Sequence, residues 1–343
     1  MALEPAGEPI HTRTQSVAVT LRGDGRLEAR AALLDLRTRG FLPVGGSMQG
    51  MGIIHHMELG WVVDPRTGVV ASFHPAQPTV AFEAGPETAG ESCRDPIDRV
   101  AALRNVPLGD GFAGRLRERI GGALGCSHLV TLSLFMDAAV RAGVARQRAL
   151  DPARFDGAPG TLFRRDLVFD AHAPDDERVS VAMRLGDLHW NAAPPTALAP
   201  ARFAFHHELD ARVDAHLWPG TLVAIRGRER LRTADRFADV PWTDRTPVLA
   251  ALDGLGLARG AAGEIMRRLG DDPDVAPWRD ALLMLAPALV QCRAAHPDAW
   301  HEKVRATERH PGLTAIPDSC YMWRRGGALE RLRAAHGAVK GGR

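Results

Sequence analysis

The sequence predicts an α+β protein of two tandem pseudo-repeats, each made of two antiparallel β-hairpins followed by two helices. Three observations predict it. Successive segments alternate apolar and polar residues and are joined by glycine- or proline-bearing turns, the pattern of half-buried antiparallel strands. Stretches with helical spacing follow each group of strands, and strands gathered before helices define the class. Third, sequence blocks recur about 150 residues apart, far beyond the roughly 20–50 residues of a solenoid period. Leu33-x-Asp35-Leu36 reappears as Leu185-x-Asp187-Leu188. Glu58-Leu59 and Val63-Asp64 reappear as Glu208-Leu209 and Val213-Asp214. Val100-Ala101-Ala102-Leu103, with Leu116, Arg119 and Gly121, reappears as Leu249-Ala250-Ala251-Leu252, with Ile265, Arg268 and Gly270.

The elements follow in order. Val17, Val19 and Leu21, then Leu27, Ala29, Ala31 and Leu33, flank Gly23-Asp24-Gly25 as the first hairpin. Residues 41–52, rich in Gly, read as a loop. Ile53, His55, Met57, Leu59, Trp61 and Val63 share one face. Asp64-Pro65-Arg66-Thr67-Gly68 turns that strand into residues 69–73, giving the second hairpin. A proline-rich loop runs through Cys93. Phe112, Leu116 and Ile120 mark one helix, and residues 129–140, apolar nearly all round, mark a buried one. The second unit repeats this order. Its first hairpin is residues 164–170 and 178–188. Its second is residues 203–215 and 221–225, around Trp218-Pro219-Gly220. Residues 249–269 and 278–294 carry its helices. Residues 151–160, with two Pro and two Gly, separate a first domain, 1–150, from a second, 161–343, which includes an added tail over 295–335 with a short helix after Gly326. Two such sheets can merge edge to edge, which removes exposed strand edges.

Composition narrows the function classes. At 343 residues, 45% hydrophobic and 24% charged, the chain is an ordinary globular one with room for two cores. A net charge of +2 does not point to a nucleic-acid partner. No uninterrupted apolar run reaches the roughly 18 residues of a membrane span, and the first residues lack a signal peptide's apolar core. Four cysteines in so long a chain make no disulfide framework, so a reducing cytoplasmic compartment is expected. No GxGxxG follows a strand, and no P-loop or GxSxG is present, so no nucleotide cofactor is expected. The expected partner is a small-molecule substrate, and a homo-oligomer is compatible with the composition.

Several residues stand out chemically. Asp35 continues the inward face of Leu27 to Leu33, as Asp187 continues that of Val179 to Leu185. A carboxylate there must be paired or hydrogen-bonded. Its presence in both units favours anchoring of the fold, and a catalytic role is the alternative. His55 is inward on its strand, with His56 beside it. Aligning Glu58 with Glu208 puts Phe205 opposite His55, so the inward histidine moves two positions in the second unit. Gly125-Cys126-Ser127-His128 opens the buried helix, where free backbone N–H groups favour a thiolate or an anion. The corresponding stretch of the second unit, around 274–278, has neither Cys nor His. His55, Cys93, Cys126 and His128 form a candidate zinc set, although no CxxC or HExxH spacing is present. The metal-free alternative makes His55 or His56 the acid–base group, with Cys126 or Asp35. Near the C-terminus, Pro317 to Gly326 holds a thiol, the only Tyr, a Trp and two Arg. Tyr321 and Trp323 can stack an aromatic ligand, and Arg324 can pair with a carboxylate. The alternative is a closing turn that packs its aromatics.

Asp35, Ile54-His55-x-Met57 with Val63-Asp64, Cys93, and Gly121-Gly122 leading into Gly125-Cys126-Ser127-His128-Leu129 resemble the bacterial family catalogued as domain of unknown function 2889. Asp318-Ser319-Cys320-Tyr321 resembles its closing motif. His56 stands where that family usually carries Asp. The resemblance covers the first unit and part of the tail, and the second unit looks like a degenerate copy. What it implies is a site, with an association to aromatic-compound and acyl-chain metabolism.

The expected function is therefore a small-molecule enzyme, a lyase or a hydrolase, working by acid–base chemistry on an aromatic or carboxylate-bearing substrate, with metal assistance as one form. His55, His56, Asp35 and Cys126 are the catalytic candidates. The alternative is a non-catalytic protein that binds a small ligand or zinc.

Overall fold

Leu21 and Leu27 close the first hairpin face to face, as the alternation requires, and eight long strands follow from the same pattern. The computed structural model describes residues 3–38, 51–191, 203–218, 220–257, 260–295 and 318–332. The loop expected at 41–52 falls almost wholly outside these residues, as do Pro219, Pro317 and most of the tail. The strands are β1 (Glu8–Leu21), β2 (Leu27–Arg37), β3 (Gly52–Val63), β4 (Val70–Thr79), β5 (Gly160–Ala173), β6 (Arg178–Trp190), β7 (Phe203–His216), β8 (Thr221–Thr233) and the short β9 (Thr243–Asp244).

All nine join in one antiparallel sheet of order β4-β3-β2-β1-β5-β6-β7-β8-β9. The two groups of hairpins thus meet edge to edge at β1 and β5, and Val17 faces Arg165 across the joint. One outer edge is β4, which carries Pro75 and Pro78. Proline suits an edge because it lacks the N–H that would recruit another strand.

Several strands reach further than apolar alternation shows. In β1 the inward positions continue below Val17 as Gln15, Arg13 and His11, each 1% exposed. In β2 they continue past Leu33 as Asp35 and Arg37. Period two places these side chains on the buried face regardless of polarity. The C-terminal half repeats the arrangement: Arg13 pairs across the ladder with Asp35, and Arg165 with Asp187.

Helices cover that face. In the N-terminal half, α1 (Phe112–Ile120) buries Phe112, Leu116 and Ile120. α2 (Ser127–Leu150) packs on β1, β2, β3 and β5. By length and composition α2 could cross a membrane, yet 56% of its apolar window is buried within the protein. Gly143 lets α2 close on β5, because a Cβ there would lie 2.4 Å from the Phe163 ring. In the C-terminal half, α3 (Ala261–Leu269) is followed by α4 (Ala276–Leu283) and α5 (Leu285–Ala294). These last two replace one long helix. Pro287 lacks the N–H to bond the Leu283 carbonyl, and its ring crowds that oxygen. α5 packs on β1 and β5, so it reaches back over the N-terminal half. The buried apolar residues form one cluster that runs through both halves, from Ile10 to Ala295.

Candidate active site

Asp35 lies at the centre of the most concentrated polar cluster on the buried face. Arg13 grips it with a two-pronged fork, Nε to Oδ1 at 2.7 Å and Nη2 to Oδ2 at 2.8 Å. The ladder register sets this fork, since the two residues are direct cross-strand partners. Three imidazoles approach the same carboxylate. His11 Nε2 lies 3.1 Å from Oδ1, and His55 Nδ1 lies 3.0 Å from Oδ2. His128 Nε2, from the first turn of α2, lies 3.4 Å from Oδ2. The rings of His55 and His128 stack with centroids 3.8 Å apart. β3 brings His55 in directly across from Asp35, next to a bulge at Ile54.

Burial raises the proton affinity of Asp35. The charge of Arg13 and the bonds from His11, His128 and His55 outweigh it, and the carboxyl stays well below the usual carboxylate range. Burial lowers His11, with Asp35 opposing. Burial and then the neighbouring His55 push His128 down to about 3, so its ring is neutral at pH 7 and keeps a lone pair. The side chains of Asp35 and Arg13 are 0% and 1% exposed, against 13% for His128. His128 is therefore the group of the cluster that solvent reaches.

The C-terminal half contributes to the surroundings. Gln291 of α5 places its Nε2 3.2 Å from His128 Nε2. Cys126, the N-cap of α2, has its Sγ 4.0 Å from His128 Nδ1. The helix start expected to favour a thiolate holds a thiol instead, because burial pushes Cys126 up to about 11. Cys93 and Cys320 lie within electrostatic reach of Cys126, and burial raises both. Arg13 Nη1, His11 Nδ1 and both amide atoms of Gln15 are buried with no protein partner among the described residues.

The other expected residues fall elsewhere. His56 points to the opposite side of β3, 3.2 Å from Glu58. Tyr321 docks the closing turn on the α2 entry, its N–H donating to the Gly125 carbonyl at 2.8 Å. Arg324 lies over the Tyr321 ring and bonds Glu91 at 2.7 Å, and Trp323 packs edge-on to Phe82. Arg324 thus already has a carboxylate partner. Asp35, His55 and His128 offer ligand atoms within 4.8 Å of one another. Of the metal set expected from sequence, His55 and His128 meet at Asp35, Cys126 stands beside His128 with its Sγ 4.0 Å from the other ring nitrogen, and Cys93 lies near Cys126.

The C-terminal half carries a second arginine–aspartate fork. Arg165 makes the same fork to Asp187, at 2.7 Å in each prong. Its Nη1 bonds a second carboxylate, Asp280 of α4, at 2.7 Å. Phe163 stands two residues before Arg165, where His11 stands before Arg13. Pro277 is the second residue of α4, where His128 is the second of α2. The strand register also corrects the alignment drawn from Glu58 and Glu208. His207, not Phe205, lies across from Asp187, as His55 lies across from Asp35. A two-residue slip leaves every side chain on its face, so alternation does not detect it. His207 approaches Glu229 at 3.4 Å.

Glu229 also accepts from Trp278 Nε1 and Arg245 Nε, each at 2.7 Å. Burial would raise Glu229, but the bonds from His207, Arg245 and Trp278 win and bring it down to about 2. A carboxyl held below its unfolded value stabilises the fold above that value, and the contribution is lost as pH falls through the folded one. The contribution here is about 3 kcal/mol. Urea unfolding of wild type and Glu229→Gln should therefore differ at pH 6 and converge between pH 4.5 and 2. A difference that stays constant across this range would contradict the assignment.

Residues 11–141 match the model of a family described as Protein of unknown function (DUF2889). The matched segment contains Asp35, the three imidazoles, Arg13 and Cys126, and stops short of Gln291. No curated protein and no solved structure matches the chain.

Proposed function

We propose that the chain, whose residues 11–141 match this family of unknown function, is a small-molecule enzyme, a lyase or a hydrolase, working by acid–base chemistry at His128 and His55 over Asp35. One observation carries the reading. A buried arginine–aspartate fork occurs in both halves, but three imidazoles converge on it in only one. The second fork, with Asp280 on the remaining guanidinium nitrogen, stands in the fold without imidazoles on its aspartate, which supports a role for them beyond the fold. The extra imidazoles need another reason, and paired, positioned imidazoles are the usual means of moving protons.

Asp35 orients the rings, and solvent-reached His128 meets the substrate. Arg13 Nη1 supports the carboxylate-bearing substrate class. Its counterpart Arg165 Nη1 holds the carboxylate of Asp280, whereas Arg13 Nη1 has no carboxylate among the described residues. Gln291 supports a role for the C-terminal half as a wall of the site. The matched forks and the strand order mirrored about β1 and β5 support a duplicated unit whose second copy kept the fold and lost the chemistry. Four free cysteines support a reducing, cytoplasmic setting. Turnover in a screen of aromatic and aliphatic carboxylates that is lost in His128→Ala would bear this out. Binding without turnover would replace it with a ligand-holding role.

A further inference from the structure

We propose that Asp35 Oδ2, His55 Nδ1 and His128 Nε2 together bind one divalent first-row transition-metal ion. The inference rests on the cluster being the working site and adds an agent to it: an ion that polarises a substrate oxygen or bound water.

The spacing carries the proposal. Donors about 2.1 Å from one ion, at angles of about 90–109°, lie roughly 3.0–3.4 Å from each other. Oδ2 lies 3.0 Å from His55 Nδ1 and 3.4 Å from His128 Nε2, and the three residues offer one ligand atom each within 4.8 Å of one another. Two imidazoles aim a ring nitrogen at one carboxylate oxygen, with their rings stacked, and an ion taking that point would displace the protons those nitrogens share with the oxygen. Two nitrogens and one oxygen suit Zn2+ or Fe2+ rather than Mg2+ or Ca2+, which take oxygen shells.

The surroundings match those of a ligand set. Arg13 fixes the carboxylate from behind. Cys126 Sγ faces the other ring nitrogen of His128 at 4.0 Å. Such outer partners hold ligands in orientation. Three protein donors leave positions open, and His128 is the most exposed of the three, at 13% of its side chain. The C-terminal half lacks the set: Pro277 takes the place of the helix histidine, and His207 approaches Glu229.

Chelator-treated full-length protein titrated with Co2+ tests this by calorimetry and visible absorption. One Co2+ per chain is expected. Affinity should fall by well over ~100-fold in His128→Ala and in His55→Ala, more than the loss typical of an outer partner, and by about 100-fold or less in Cys126→Ala. Circular dichroism checks folding, and if His55→Ala unfolds, the solvent-reached His128→Ala decides alone. Absent binding, binding that survives His128→Ala, or binding abolished by Cys126→Ala would overturn the proposal. Full turnover by metal-stripped protein would also overturn it while leaving the acid–base reading intact. Stoichiometric Co2+ without turnover of any substrate would sustain the metal site and remove the enzyme.

Discussion

Asp35→Ala should lower the unfolding free energy by about 3–5 kcal/mol, the cost of breaking a buried ion pair by removing one partner. Arg13 would be left charged and buried with neither prong of its fork engaged. No imidazole carries a negative charge, so the rings around it cannot replace the lost one. Relaxation is also limited, because Arg13 sits in mid-strand, bonded to β2 on one side and β5 on the other. The C-terminal half supplies a control. Asp187→Ala leaves Arg165 its bond to Asp280, so the loss there should be about half as large or less, within the range for a charged hydrogen bond. Urea unfolding with an unchanged m value measures both. Equal losses at the two sites would show that Asp280 does not compensate Arg165.

His128→Ala should behave in the opposite way. The catalytic contribution of a positioned acid or base is typically 10²–10⁴-fold, so turnover should fall by about that factor. Stability should change little, since the side chain is partly solvent-reached and its α4 counterpart is a proline. Separating the effects requires kcat and the unfolding free energy from the same preparation. A parallel loss of both would return His128 to the fold. Retained turnover would place the proton transfer on another group.

Much of this architecture is legible from residues, and the parts that are not fail for physical reasons. Val17, Leu27 and Trp61 announce their strands because alternation of apolar residues is what a half-buried sheet requires. His11, Arg13 and Gln15 announce nothing. They hold inward positions as polar residues, and only ladder pairing shows that β1 continues through them. The 22-residue step from Arg13 to Asp35 and from Arg165 to Asp187 is the signal that would have found the fork. Asp35 is readable as a buried carboxylate but not as the meeting point of His55 and His128, since 73 residues separate the two histidines. Gln291 comes from the other half and has no sequence signal at all. The Cys-x-His motif at 126–128 marks the right helix start. It does not tell which of its residues faces the carboxylate, and here the imidazole does while the thiol stands beside it.

The central claim is that these imidazoles serve chemistry and not the fold. The most direct measurement is the unfolding free energy of His128→Pro, which installs the residue that the C-terminal half carries at the same place in its helix. Proline is well accommodated in a first helical turn, and the fork of Arg13 and Asp35 is untouched. The expected result is a free energy within about 1 kcal/mol of wild type, the range of a change away from structural features. A loss of about 3 kcal/mol or more, the size of a broken buried pair, would make His128 a structural residue and contradict the account.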